Sequence, residues 1–399
     1  MIRKRKPVVS EIKVRYRVST PMFSGGADPK IAELRLPSFK GVLRFWWRAS
    51  AWSRMNGDLG TVKDEEDRLF GSAGGGQSQV SMWLAPNGRP DAVSHGEVLT
   101  VEPGSRKVVG EGARYLGYGV MEAFASRGKG TEAGQLTRGC LSGGFTFTVR
   151  MRLRDNRCVG TLKQALILLG LVGGMGAKSR KGYGSLVLES IHVDGREEWR
   201  TPRSIDELAE YLRGIGQIHS RSVLPEYTAL SGLTRVILAA SSHRHPLDLL
   251  DLVGREMMRY RSWGHNGRVL RESSEHNFKD DHDLMKKLPV RISHPKRIAF
   301  GLPHNYGSVK AQQVGLAGGK LDRRASPLFI HIHMCGDRPV AVLSFLPARF
   351  LPKGTRISVG GRKVGQAPEG ELYQPIHDFL GRMTDGDRRI EPFTEVVEV

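Results

Sequence analysis

The chain has 399 residues and carries 61 Lys and Arg against 41 Asp and Glu, a formal net charge of +20. A hydrophobic fraction of 39% is enough to bury a core and excludes general disorder, and 49 glycines without a Gly-X-Y period exclude collagen. Three scattered cysteines, Cys140, Cys158 and Cys335, exclude a disulfide framework and a four-thiolate zinc site and point to a reducing compartment.

The charge implies a polyanionic partner, nucleic acid first and an anionic membrane surface second. It is unevenly spread: residues 1–60 hold 13 Lys and Arg against 4 Asp and Glu. The basic start, Met1 to Pro7, leads into Glu11 and Lys13 without the apolar stretch of a signal peptide. The most apolar run, Ala165–Val172, is far shorter than the ~20 residues a membrane span needs. These features predict a soluble, cytoplasmic protein.

In chain order, residues 11–18 alternate. Ile12, Val14, Tyr16 and Val18 share one face and Lys13, Arg15 and Arg17 the other, which predicts a half-buried strand. A Gly/Pro loop follows, Thr20 to Pro29. Pro37-Ser38 opens a helix, with Ser38 as its N-cap and Phe39, Val42, Leu43, Trp46 and Ala49 as its core stripe. A short helix over 64–70 stops at Gly71 before Gly74-Gly75-Gly76. Residues 144–154 alternate again, Phe145, Phe147, Val149, Met151 and Leu153 against Arg150, Arg152 and Arg154. A helix over 161–172 leads through a glycine-rich loop, Gly173–Gly184, into a strand over 185–193.

The polar stretch after Asp194-Gly195 predicts a boundary between domains 1–198 and 199–399. Beyond it, patterning predicts a helix over 204–213, a strand over 233–240, and helices over 246–260 and 280–288. A hairpin of 328–334 and 340–346 follows, then an irregular tail with a short helix. The fold class is α+β with antiparallel sheets.

Two stretches carry binding chemistry. Lys40, Arg44 and Arg48 recur at i, i+4, i+8, with Trp47 beside Arg44 and no acid between Pro37 and Met55. Such a row suits successive phosphates, and the tryptophan suits stacking on a base. The loop Gly173–Gly184 combines Gly174, Gly176 and Ser179 with Lys178, Arg180 and Lys181, again without an acid. It suits a nucleic-acid backbone clamp. It is no P-loop, since Val172 and Ala177 occupy the glycine positions and the loop runs from helix to strand.

The pairs His243/His245 and His331/His333 lack a matching third ligand and read as packing or surface residues, and Asp280 to Asp283 holds a His-Asp dipeptide of the kind found in metal-dependent phosphohydrolases, which a solvated helix start explains as well. No metal or other cofactor is expected. Asp28, in Gly25-Gly-Ala-Asp-Pro29, reads first as a turn residue and second as an acid that cleaves RNA.

Taken in order, Thr20 to Pro29, Leu36-Pro-Ser-Phe-Lys-Gly-Val-Leu-Arg-Phe-Trp-Trp-Arg48, Arg68-Leu-Phe-Gly71 and the Gly173–Gly184 loop resemble the RAMP superfamily of CRISPR-associated proteins. The Trp-Trp-Arg helix and the Gly-Gly-Ala-Asp-Pro loop are similar to the first subunit of the type III-B (Cmr) effector complex, as are Phe300-Gly-Leu-Pro303 and Arg323 to Phe329.

The resemblance implies two ferredoxin-like (RRM-like) domains, with the glycine loop joining the last helix of the first to its last strand. It implies a non-catalytic subunit that holds guide RNA (crRNA, 3′ region) or target RNA at the end of the complex, beside other RAMP subunits. On this basis His304, Arg323 and Arg324 join the RNA-binding candidates in the second domain. The alternative within the superfamily is a metal-independent endoribonuclease using Asp28 or a histidine such as His304.

Overall fold

The computed structural model describes residues 9–218, 222–264, 266–286, 294–306, 313–318 and 321–399. The basic run before Val8 and the expected helix end at Leu288 lie outside them.

Strand β1 (Ser10–Val18) alternates as its sequence dictates: Ile12, Val14, Tyr16 and Val18 are fully buried, while Lys13, Arg15 and Arg17 point to solvent. It is the central strand of an antiparallel sheet ordered β2 (Val80–Asn87), β3 (Thr146–Leu153), β1, β4 (Leu186–Val193), β5 (Arg196–Arg200). Helices α1 (Leu36–Arg54) and α2 (Leu59–Phe70) join β1 to β2. An insertion between β2 and β3 carries the short helix α3 (Glu111–Leu116), and α4 (Val159–Val172) joins β3 to β4. Strand–helix–strand–strand–helix–strand with this order is the ferredoxin-like arrangement, and its helices cover one sheet face only.

The arrangement occurs a second time. Helix α5 (Ile205–Ile218) leads to β6 (Arg235–Ser241), α6 (Pro246–Arg261), α7 (Lys279–Lys286), β7 (Leu328–Cys335), β8 (Arg338–Phe345), α8 (Glu369–Thr384) and β9 (Phe393–Glu398). The sheet order β7-β8-β6-β9 matches that of the first sheet. This sheet is buried on both faces. Ile237, Ala239, Ala341 and Leu343 pack with α6 and α8, while Leu238, Val340 and Val342 pack with α4 and α5 of the preceding chain. Two-sided burial explains why β8 reads as a continuous apolar run instead of an alternation.

Three expectations are corrected. Helix α1 starts at Leu36 with Pro37 in its first turn, so Ser38 lies inside the helix and Arg35 occupies the cap position; the fixed φ of proline suits that turn. Helix α5 runs to Ile218, a turn past the expected end. The tail is regular: α8 has sixteen residues and β9 completes the second sheet.

The insertion is tied to the second half where α3 crosses α6. A Cβ on Gly112 would lie 2.2 Å from the Asp251 carbonyl oxygen, and one on Gly254 would lie 2.1 Å from the Gly112 carbonyl oxygen. Only glycine permits backbones to approach this closely. The Asp251 carboxylate accepts the N–H groups of Gly112 (2.7 Å) and Ala113 (3.1 Å) at the start of α3.

Candidate nucleic-acid interface

The cation row on α1 exists, but its charges have partners. Lys40 Nζ donates to the Phe70 carbonyl at the end of α2 (2.8 Å). Arg44 Nε (2.7 Å) and Arg48 Nη1 (2.5 Å) both donate to the same oxygen of Glu66, a buried side chain of α2. The row fastens two helices together. Trp47 is only 2% exposed, edge-on to Phe70, and its indole N–H points at Thr161 Oγ1 (3.3 Å). It is a core residue, and its stacking role is withdrawn because no ring face is open to a base. Glu66→Gln leaves two guanidiniums facing a neutral acceptor; a loss of about 1–2 kcal/mol is expected in urea unfolding. A change under 0.3 kcal/mol would show that the cluster is idle.

In the glycine loop, the glycines serve close packing. Gly176 has φ +94°, and a Cβ there would meet the Phe23 carbonyl at 2.6 Å; a Cβ on Gly174 would meet that of Gly184 at 2.8 Å, with Ser179 beside it. Backbone N–H groups expected to face an anion are already engaged: Met175 donates to Gly184 (2.8 Å) and Ala177 to Phe23 (2.8 Å). Gly174 and Gly176 therefore shape the loop, and its side chains supply the charge. Two of the buried histidines on β7 support it from below. His331 Nδ1 is 2.6 Å from the Gly173 carbonyl, and burial lowers both pKa values, to about 3 for His331 and about 4 for His333.

The loop lies against the second half. Arg180 donates to the Ser326 carbonyl (2.7 Å) and stacks over Phe329, 4.4 Å from the ring centre. Burial and the neighbouring Arg324 lower its pKa to about 10. The Lys181 backbone pairs with Ile330 of β7, and its ammonium nitrogen is enclosed with no acceptor among the described residues. Burial, Arg261, Lys178 and Arg180 together pull its pKa down to about 7. Lys178, at φ +63°, is lowered by burial and by Arg138 and Arg323. His304 is lowered to about 3 by burial, Arg261 and Arg297.

Every charged neighbour that shifts these four groups is thus a cation. Nε and Nη2 of Arg324 and the Nε atoms of Arg138 and Arg261 are likewise enclosed without acceptors among the described residues. Next to them a groove of about 340 Å³ is lined by Arg48, Arg323, Arg324 and Arg349, with Glu226 on Arg349 (2.8 Å).

The fold thus gathers Lys178, Arg180, Lys181, His304, Arg323 and Arg324 from two distant stretches of sequence. An enclosed donor atom without an acceptor is costly, and a bound anion would supply what Lys181 Nζ and the unpartnered guanidinium nitrogens lack. Arg138 and Arg261 join them; no local pattern marks either, since each is an isolated cation whose neighbours arrive only on folding. Asp28 accepts the Lys30 N–H (2.9 Å) in an exposed Asx turn, as the turn reading expected. His245 caps α6 by accepting from Leu247 N–H (3.2 Å). Among the described residues no three His, Cys, Asp or Glu side chains are placed to hold a metal ion.

The model of the RAMP superfamily matches residues 15–187. Those residues are a RAMP-superfamily region. The resemblance read from the motifs is borne out, and the region ends inside β4, so it takes in the glycine loop whole. The chain is 24% identical over 336 residues to the CRISPR system Cmr subunit Cmr1-1 of Pyrococcus furiosus, covering 80% of this chain and 82% of that one. It is 25% identical over 173 residues to Cmr1-2 of the same organism, covering 43% and 91%. The crystal structure of apo Cmr1 from Pyrococcus furiosus aligns over 91% of this chain and 96% of that one, with a TM-score of 0.55 and 19% identity, and shares the fold. A chain of the type III-B Cmr-beta complex bound to cognate target RNA aligns with a TM-score of 0.48 at 12% identity, over 93% and 99%.

Proposed function

We propose that the chain is a non-catalytic RNA-binding subunit of a type III-B CRISPR ribonucleoprotein. In this reading it acts in the cytoplasm, holding the 3′ region of the guide RNA or the target RNA at the end of the complex, beside other RAMP subunits. The observation that carries the reading is the acid-free cluster of enclosed cations around Lys181. A phosphodiester backbone supplies the acceptors these groups lack, and contacts of this kind hold any sequence while base pairing by the guide selects the target. The relatives' assignment to the Cmr system supports the assembly. No helix among the described residues is long and apolar enough to cross a membrane.

The alternative, an endoribonuclease, requires an acid or base poised near neutrality. Burial holds His304, His331 and His333 far below it and Asp28 belongs to a turn, which leaves Lys181, drawn to about 7, as the group a cleavage reading would have to use. The test is RNA binding by the purified chain across a salt series, with a gel readout of strand integrity. We expect intact RNA and a log–log salt slope near −0.7 for each phosphate neutralised. Cut RNA that survives EDTA would replace this reading with the nuclease, and a flat slope would remove the phosphate clamp.

A further inference from the structure

The first sheet has a free face. Helices cover one side, and the other side is exposed along β2, β3 and β1. The pairing register places Trp83, Arg150, Lys13 and His192 in one row across four strands. The row on one side holds Ser81, Arg152 and Glu11, and that on the other Ala85, Thr148, Arg15 and Ser190. Trp83 is 51% exposed, and its one ring contact among the described residues is the Arg152 guanidinium, 5.6 Å from the ring centre. The acids on this face are Glu189, which holds Arg15 and Arg17 at 2.7 Å each, Glu11, 3.8 Å from Arg152, and, at the edge on β5, Glu197, which stands opposite His192 and is held by Arg200 at 2.5 Å. Those arginines stay 44–62% exposed, and such pairs exchange readily for a phosphate.

We propose that this open sheet face is a second surface for single-stranded RNA, separate from the Lys181 cluster, on which Trp83 stacks with a base and Lys13, Arg15, Arg150 and Arg152 neutralise the adjoining phosphates. Three features select RNA over an acidic protein. A half-exposed indole presents a flat apolar face of the size of a base, and base–aromatic stacking is favourable whatever the sequence. A guanidinium beside an indole is a pair that a nucleobase extends, because bases stack on both groups. The small residues Ser81, Ala85, Thr148 and Ser190 keep the surrounding floor low enough for a strand to lie flat. The alternation Val80, Met82, Leu84 inward and Ser81, Trp83, Ala85 outward marks the tryptophan from the sequence, as a large aromatic on the polar side of a strand.

The test uses the full chain carrying Lys178→Ala and Lys181→Ala, so that the clamp cannot mask the face. Trp46, Trp47, Trp52 and Trp199 are buried and Trp263 is half-buried against His276 and His282, so Trp263→Phe is added and titration with a short oligoadenylate then reads mainly Trp83 fluorescence. We expect quenching in this background. From the anisotropy of a labelled oligoadenylate, which needs no tryptophan signal, we also expect a loss of affinity of about tenfold on adding Trp83→Ala, and its recovery with Trp83→Phe. Quenching lost with the clamp mutations alone, or affinity indifferent to Trp83→Ala, would overturn the second surface. Heparin, a polyanion without bases, binding in its place with equal dependence on Trp83 would overturn the stacking and leave a generic anion face. The clamp fails separately: it is wrong if Lys178→Ala and Lys181→Ala leave the affinity of the otherwise native chain unchanged.

Discussion

Replacing Lys181 by methionine is expected to weaken RNA binding and to strengthen the unliganded fold. Both effects come from one enclosed ammonium. With RNA absent, its neighbours are Arg261, Lys178 and Arg180 and no acceptor, and its pKa is drawn to about 7 from an ordinary 10.5. With a phosphate present, the same group gains a charge-assisted partner, and losing it is expected to cost about thirtyfold or more in affinity, roughly 2 kcal/mol.

The pH dependence has opposite signs for the two properties. In the free chain the folded pKa lies below the unfolded one. Between about pH 7 and 10.5 the unfolded state therefore binds more protons, and this residue's contribution to stability rises with pH by at most about 1.4 kcal/mol per unit. Below about pH 7 the penalty is fully present and constant. RNA binding favours the charged form, so affinity falls as pH rises above about 7. Urea unfolding and RNA titration at pH 6 and pH 9, on the native chain and on Lys181→Met, check all of this. A native chain whose RNA affinity and stability change with pH as the methionine variant's do would refute the assignment.

Gly254→Ala is expected to be strongly destabilising. The added carbon would sit 2.1 Å from the Gly112 carbonyl oxygen and 2.3 Å from its carbon, against backbone that cannot rotate away. Relief requires α3 to lift from α6, which breaks the bonds from Gly112 and Ala113 to Asp251 and opens the cluster that holds Val109, Leu116 and Tyr183. Overpacking of this kind costs about 3 kcal/mol or more. Gly214→Ala supplies the contrast. It lies inside α5 with nothing within 4 Å of the added carbon, and should raise stability by about 0.5–1 kcal/mol. Paired thermal melts decide the matter; equal shifts for the two substitutions would mean the crossing is looser than described.

How far the sequence could be read follows from how each element is buried. Strands β1 and β3 have one wet face, so their alternation was legible down to single residues. The second sheet has none, so β8 offered an apolar run without a period. Helix α8 does carry Leu372, Ile376, Phe379, Leu380 and Met383 at helical spacing, but Pro375 interrupts the pattern.

At the site, the cations Lys178, Arg180 and Lys181 were legible because they crowd one loop. Their setting was not, because the enclosing Arg261 and Arg324 are far along the chain. Arg44 and Arg48 have no acid within their own helix. Their partner lies on the next one, inside the acidic run Asp64 to Asp67. Trp47 was read as exposed from its neighbours in sequence; α1 packs against both α2 and α4, which widens its buried arc past a single stripe.

The doubly covered second sheet bears on how such a chain can change over evolutionary time. On β8, Val340 and Val342 fit one cluster while Ala341 and Leu343 fit the other, so a substitution at any of them must be matched by a neighbour on that side. A lineage adapting to a new RNA or a new neighbouring subunit has little latitude there. Its freedom lies in the outward residues of β1, β2 and β3, in the insertion, and in the side chains of the glycine loop, where an exchange of charge or ring disturbs no interior. Divergence should gather on those surfaces, around an interior held nearly constant.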